Sequence, residues 1–197
     1  MSELFSIQLQ NRQQQGRDGV WLDLPTTTEQ VQAALRQIGI SSDNPQGLFI
    51  SGYFAEEEKR FAIPYNMVLA SNVDELNFLA SRLETLSTGE RAELNAALQA
   101  PQSELFSIGR IADFPENVEY YVYLPDVRGP AQLGDYYLNR SGMVNMPDEW
   151  KGGIDTAQFG RYVAQQEQGV FTQYGYLVKS GDEWQKVHEG QPVPEEY

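Results

Sequence analysis

The hexapeptide Ser-Glu-Leu-Phe-Ser-Ile occurs twice in this chain, at residues 2–7 and again at 103–108, an offset of 101. The run Trp21-Leu22-Asp23-Leu24-Pro25 has a counterpart 100 residues later in Tyr121-Val122-Tyr123-Leu124-Pro125. A helix-forming stretch follows each proline, at residues 28–38 and 131–140, and each is closed by a glycine, Gly39 or Gly142. Chance can supply a six-residue match. The same order of strand, loop, strand-Pro, helix and Gly at nearly one offset points instead to duplication, or reuse, of one domain plan. In 197 residues that leaves room for two small domains and a short segment between them.

The first copy reads as strand, loop, strand, helix, strand. Residues 4–10 alternate apolar and polar, as a half-buried strand does. Residues 11–19 form a polar loop carrying Arg12 and Arg17, and residues 20–25 a second strand ended by Pro25. Thr26 with Glu29 has the spacing of a capping box. Val31, Ala34, Leu35 and Ile38 then fall on one helical stripe, and Gly39 suits the left-handed position past its end. A turn at 41–47 leads to a third strand at 48–54. Residues 1–63 are therefore expected to form an α+β domain.

Residues 64–101 are expected to be a helical middle domain. Asn72 and Glu75 make a second capping box, and Leu76, Leu79, Ala80, Leu83 and Leu86 repeat at helical spacing. Ser87 and Glu90 start another helix, with Leu94, Ala97 and Leu98 on one side and Pro101 at its end, giving an αα hairpin. Residues 102–190 form the second α+β domain, enlarged by a helix and a hairpin. Asp155 and Gln158 cap that helix; Phe159, Tyr162 and Val163 share a face, and Gly169 ends it. Residues 171–178 have strand composition, with Gly175 marking a bend or bulge. A last strand is expected at 181–189, anchored by Trp184, and residues 191–197 read as a frayed tail. The fold class is α+β, with two related β/α domains flanking a helical middle segment.

Charge is the strongest global feature. There are 28 Asp or Glu against 14 Lys or Arg, a formal net charge of -14. The acids are spread along the chain rather than gathered in a tail. Such a surface repels nucleic acid and anionic membranes and attracts proteins with basic grooves; plain solubility is the alternative account. The chain lacks Cys, which excludes disulfides and thiolate metal sites and makes the cytoplasm the natural compartment. The first residues show no signal-peptide pattern, and no apolar run approaches the ~18 residues that span a bilayer.

Catalytic equipment is sparse. No phosphate-cradling glycine loop occurs, and the single His, His188, is expected to be exposed and incidental rather than a base or ligand. No Asp/Glu cluster has EF-hand spacing. Glu56-Glu57-Glu58 beside Lys59-Arg60 reads as an acidic contact patch or as a solvated loop. Acid/base chemistry there would need one buried, shifted carboxyl. By elimination the chain is expected to be no enzyme and to hold no cofactor and no metal; a hydrolase working with carboxylates alone is the remaining catalytic alternative.

Several stretches, in order, resemble ArdA-type antirestriction proteins. Residues 20–25 with the helix to Ile38 and Gly39-Ile40 look like that family's opening domain, and Leu48-Phe49-Ile50-Ser51-Gly52-Tyr53 like the last strand of that domain. Residues 72–80 resemble its "L-x-E-L-N-x-L-A" helix start. Leu133-Gly134-Asp135-Tyr136-Tyr137, Ile154-Asp155, Phe159-Gly160-Arg161 and Gly175-Tyr176 resemble its "G-x-Y-Y … I-D-Y-E-A-Y-G-R-D … G-Y" pattern. The resemblance spans about residues 4–179. Thr156, Gln158 and Tyr162 stand where the family usually has acids, Arg12 and Arg17 sit in a loop that is usually Gly-Glu-rich, and Lys59-Arg60 interrupt an acidic run.

That resemblance implies an elongated, curved chain of three small domains that pairs into homodimers, is carried by plasmids and conjugative transposons, and blocks type I restriction–modification enzymes. It implies mimicry of duplex DNA: the protein occupies the DNA-binding groove of the methyltransferase core, and does not itself bind nucleic acid or membrane. A dimer would carry twice -14, formally about 48 Å of duplex at about one charge per 1.7 Å. The carboxylates expected to face the partner are Glu56, Glu57, Glu58, Asp74, Glu75, Glu84, Glu90, Glu93, Asp113, Glu116, Glu119, Asp126, Asp135, Asp148, Glu149 and Asp155. Phe159, Tyr162, Phe171 and Tyr176 are expected in the core or at a dimer interface. The alternative is an acidic adaptor or regulatory protein that binds a host protein outside any DNA groove.

Overall fold

The structure, a computed structural model, describes residues 3–14, 18–41, 45–101 and 103–188, with Pro45 and Glu58 described by their backbone alone. Ser2 of the first hexapeptide, Arg17, the middle of the 41–47 turn and the 191–197 tail lie outside the described residues. In chain order the elements are β1 (Phe5–Asn11), β2 (Val20–Leu24), α1 (Thr28–Gln37), β3 (Leu48–Phe54), α2 (Tyr65–Leu69), α3 (Val73–Glu84), α4 (Thr88–Gln99), α5 (Ile108–Ala112), β4 (Tyr121–Leu124), α6 (Pro130–Asp135), α7 (Asp148–Lys151), α8 (Thr156–Glu167), β5 (Val170–Phe171) and β6 (Tyr176–Lys179). Mixed helix and small sheets are thus confirmed.

Packing gathers these elements into two units. One comprises the chain up to Ser87, Leu105–Glu116 and the segment from Lys186; the other comprises Thr88–Glu104 and Asn117–Gln185. The segment expected as a helical middle domain is distributed between them, α2 and α3 in the first and α4 in the second.

In the first unit, β1 is the central strand of an antiparallel sheet ordered β2-β1-β3. Its alternation buries Phe5, Ile7 and Leu9, and Leu22, Leu24, Val31, Ala34 and Ile38 complete this core from β2 and α1. The capping box of α1 sits one residue later than the spacing suggests: Thr27 is the N-cap and Gln30 its partner. The cause lies in Thr26, whose amide donates to Asn77 Oδ1 at 2.7 Å while Asn77 Nδ2 donates back to the Thr26 carbonyl at 3.1 Å. Held in this way by α3, Thr26 is not available as a cap. Gly39 takes the expected left-handed conformation, φ 71°. The Asn72–Glu75 box starts α3 as expected, and Leu76, Leu79, Ala80 and Leu83 of its stripe are fully buried.

In the second unit, β6 is the central strand of an antiparallel sheet ordered β4-β6-β5. Its core is Val127, Leu133, Ala164 and Tyr176, with Tyr137, Val163 and Phe171 packed against it. α6 continues into one wide turn over residues 136–140, where Ser141 N donates to Tyr136 O at 2.8 Å in an i→i+5 bond. Asp155 caps α8 by accepting from Gln158 N at 2.9 Å.

Three local expectations need correction and one is narrowed. Residues 103–108 form no strand: Leu105 is buried, but Ser107 caps α5 through Arg110 N, so the repeated hexapeptide adopts a different structure in each copy. Gln168, not Gly169, takes the left-handed turn after α8, φ 57°. Gly169 is there for space, since a Cβ on it would meet the Tyr176 hydroxyl at 1.9 Å. Of the two readings of Gly175 the bend holds: it lies in the turn of a β5–β6 hairpin, with Thr172 N donating to its carbonyl at 2.8 Å. Residues 181–188 form no strand. Trp184 does anchor the segment, edge-on to Tyr120 at 5.1 Å, and Asn117 holds Gln185 by hydrogen bonds of 2.7 and 3.0 Å.

Candidate functional site

Among the described residues, no catalytic constellation forms around the one histidine. His188 is half-buried rather than exposed: its ring packs edge-on to Phe78 at 4.8 Å and its amide donates to Asp113 Oδ1 at 2.6 Å. Asp113 itself is fully buried. It is an internal acceptor that fastens residue 188 to the end of α5 and is no part of the surface array expected from sequence. Among the described residues, no group of three or more His, Asp or Glu is placed to hold a metal ion, and no helix is long and apolar enough to cross a membrane.

The chemistry that remains is on the surface. In the first unit Glu56, Glu57, Asp74 and Glu116 are exposed, and Glu75 and Glu84 half-buried; the Glu58 side chain lies outside the described residues. In the second unit Glu119, Asp126, Asp148, Glu149 and Asp155 are exposed, and Glu90, Glu93 and Asp135 half-buried. Strand alternation also exposes Asp23, which is not among the carboxylates expected from sequence although its place between Leu22 and Leu24 signals an outward side chain. Glu3, Asp18, Glu29, Asp182 and Glu183 are exposed too.

Part of this charge is held by the protein's own cations. Lys59 pairs with Glu56 at 3.1 Å, Lys151 with Asp148 at 2.8 Å, Arg140 with Asp135 at 3.3 Å, and Arg82 with Glu116. The Lys151 ammonium keeps the Asp148 carboxyl below its usual range. Glu57, Asp74, Glu119, Asp126, Glu149 and Asp155 have no ion-pair partner among the described residues. Asp74 and Asp155 stand at helix starts, where the backbone dipole favours negative charge. Partial burial, then the adjacent Glu75, raises the Asp74 carboxyl above its normal range. Glu93 differs from the rest. Burial, and after it the charge of Glu90, pushes its carboxyl up to about 7, and Oε1 lies buried without a hydrogen bond among the described residues.

The residues behind the family resemblance are largely packing residues. Asn77 makes the two-way clamp on Thr26. Gly134 and Gly160 let α6 and α8 approach closely: a Cβ on Gly134 would lie 1.9 Å from Thr156 O, and one on Gly160 1.8 Å from Pro130 O. Gly175 has φ 155° and faces the Leu124 carbonyl, 2.6 Å from where a Cβ would be. Tyr176 is fully buried and donates to Glu167 Oε2 at 2.9 Å, while Tyr137 donates to the other oxygen. Of the four aromatics left between core and interface, Tyr176 is core, Phe159 and Phe171 are half-buried, and Tyr162 is 60% exposed.

Fold and surface together define an acidic, mixed α/β protein whose recognisable residues serve packing and whose reactive groups are exposed carboxylates. The family model of the antirestriction protein ArdA matches residues 15–178, most of the chain. The protein belongs to the ArdA antirestriction family, whose members are inhibitors that target type I restriction–modification enzymes. A search of curated proteins finds no match.

Proposed function

We propose that the protein acts in the cytoplasm as an antirestriction inhibitor that mimics duplex DNA, occupying the DNA-binding groove of the methyltransferase core of a type I restriction–modification enzyme. The observation that carries this is the set of exposed carboxylates without an ion-pair partner among the described residues, Glu57 and Asp74 in one unit and Glu119, Asp126, Glu149 and Asp155 in the other. Asp74 and Asp155 stand at helix starts, so each is held within its own unit by hydrogen-bonded backbone. A mimic of a stiff duplex needs charges held in place, because ordering flexible charges on binding costs entropy. Pairing of two copies, which doubles the charge, is part of the proposal.

Competition tests it. Purified protein should displace a duplex oligonucleotide from the methyltransferase core, and its affinity should fall steeply as salt rises, as for an interface steered by charge. If protein and DNA bind the core together, the acidic-adaptor alternative takes its place. If nothing binds at low salt, neither stands for that enzyme class.

A further inference from the structure

β2 is an edge strand: among the described residues its only sheet neighbour is β1. An edge strand presents N–H and C=O groups to whatever lies beside it. Beside β2 runs an open groove of about 590 Å³, with β2 as one wall and α1 as the other. The α1 wall is made by Gln30, Ala33, Ala34 and Gln37; Gln30, Ala33 and Gln37 are spaced so that they share one face of the helix. Ala33 is exposed and short, where an ordinary groove-filling residue would be large. Trp21 does not close the groove either. Its indole turns across the sheet, with Cη2 3.1 Å from where a Cβ on Gly52 would be, so the lack of a side chain at Gly52 gives the ring its place away from the strand edge. Glu3 and Asp23 line the groove, and among the described residues no Lys or Arg does.

We propose that this groove binds an extended peptide of alternating basic and apolar residues, which adds to β2 as a further strand. The main chain supplies the affinity and alternate side chains the selectivity. Leu22 and Leu24 face inward while Trp21 and Asp23 face out. An added strand lies in the same pleat, so its basic side chains flank Asp23 and its apolar ones face Ala33. A five-residue strand (Val20–Leu24) sets the length of the occupant at about five residues. The site is independent of the carboxylates assigned to the restriction enzyme.

The probe is acetyl-Lys-Val-Lys-Val-Lys-amide with the full-length protein, followed by calorimetry and by amide hydrogen exchange. Binding should slow exchange within residues 20–24. Two N-methylated versions of the probe decide the matter, because they have equal charge. In a strand, alternate N–H groups point to opposite sides, so methylating the valine nitrogens and methylating the lysine nitrogens must differ: one version should lose at least about tenfold in affinity and the other stay within about threefold. Ala33→Trp, at an exposed helix position, should also cost at least about tenfold with the circular dichroism spectrum unchanged; should that variant misfold, the methylated pair still decides. Equal binding of both methylated probes means charge attraction alone and overturns the proposal, as does absence of binding. Concentration-dependent protection of residues 20–24 without peptide overturns it in favour of a second copy of the chain at this edge.

Discussion

A Cβ placed on Gly160 of α8 would sit 2.8 Å from the backbone nitrogen of Gly134 in α6. The two glycines meet where the helices cross, and there is no room between the backbones for even a methyl group. Interiors of this density resist added volume, and backbone cannot move aside as a side-chain end can. Gly160→Ala should therefore destabilise the protein by about 3 kcal/mol, read from urea unfolding of the second unit. Gly89, in the first turn of α4, has nothing within 4 Å of its would-be Cβ. Gly89→Ala should instead stabilise, by about 0.5–1 kcal/mol, because alanine loses less backbone entropy in a helix. Equal effects at the two sites would show that the helices are not in close contact.

Glu93 makes stability depend on pH in the direction opposite to an ion-paired carboxylate. Its folded pKa is raised to about 7 from 4.5, chiefly by burial and then by Glu90. The folded state therefore holds the proton where the unfolded state has lost it. Its contribution is least unfavourable below about pH 4.5, and stability is lost as pH rises from there through 7. Allowing for solvent screening at this half-buried site, the loss is about 1–2 kcal/mol. Glu93→Gln, which keeps a neutral group at all pH values, should raise the urea midpoint at pH 8 and leave it nearly unchanged at pH 4.5. A gain of the same size at both would mean that Glu93 is ionised throughout.

Distributed charge predicts a particular pattern of mutational loss. Neutralising one of Glu57, Asp74, Glu119, Asp126, Glu149 or Asp155 should change inhibition of the restriction enzyme by no more than about fivefold, since an exposed charge contributes about 1 kcal/mol or less. Reversing Glu119, Asp126, Glu149 and Asp155 together should weaken it by at least about 100-fold and flatten its salt dependence. Loss of all inhibition on one substitution would point to a single anchoring contact in place of mimicry.

The clamp of Asn77 on Thr26 is buried and bonded on both sides. Asn77→Leu has similar volume but leaves the amide and carbonyl of Thr26 without partners in the interior. The expected cost is about 3 kcal/mol, measured by thermal or urea unfolding of the first unit. Asn77→Asp should be milder at low pH, where a protonated carboxyl can still both donate and accept.

What the sequence disclosed depended on how local each signal is. The strands at 20–24 and 48–54, the Asn72–Glu75 box and the turn at Gly39 rest on neighbours within a few residues, and they are found where spacing puts them. The box at α1 is displaced by one because its register is decided by Asn77, some fifty residues away. The hexapeptide at 103–108 copies the letters of β1 without the partner strands that make β1 a strand, and Ser107 caps a helix instead. Asp113 looks like any other surface acid until residue 188 arrives to bond it. The motif glycines 134 and 160 read as family markers, but nothing in one dimension says that they touch. Exposed carboxylates were legible because most acids are exposed; which of them are neutralised by a neighbouring Lys or Arg was only partly so, through i,i+3 spacings such as Glu56–Lys59 and Asp148–Lys151.

The contacts of His188 with Phe78 and Asp113 also bear on the order in which the protein matures during synthesis. The first unit draws on residues up to Ser87 and again from Lys186, so a portion translated before residue 88 waits for one translated after residue 185. The second unit, closed by Asn117 and Gln185, has all its parts once residue 185 has left the ribosome. A nascent chain arrested with 185 residues exposed should thus show protease resistance in the later unit before the earlier one has reached its full resistance.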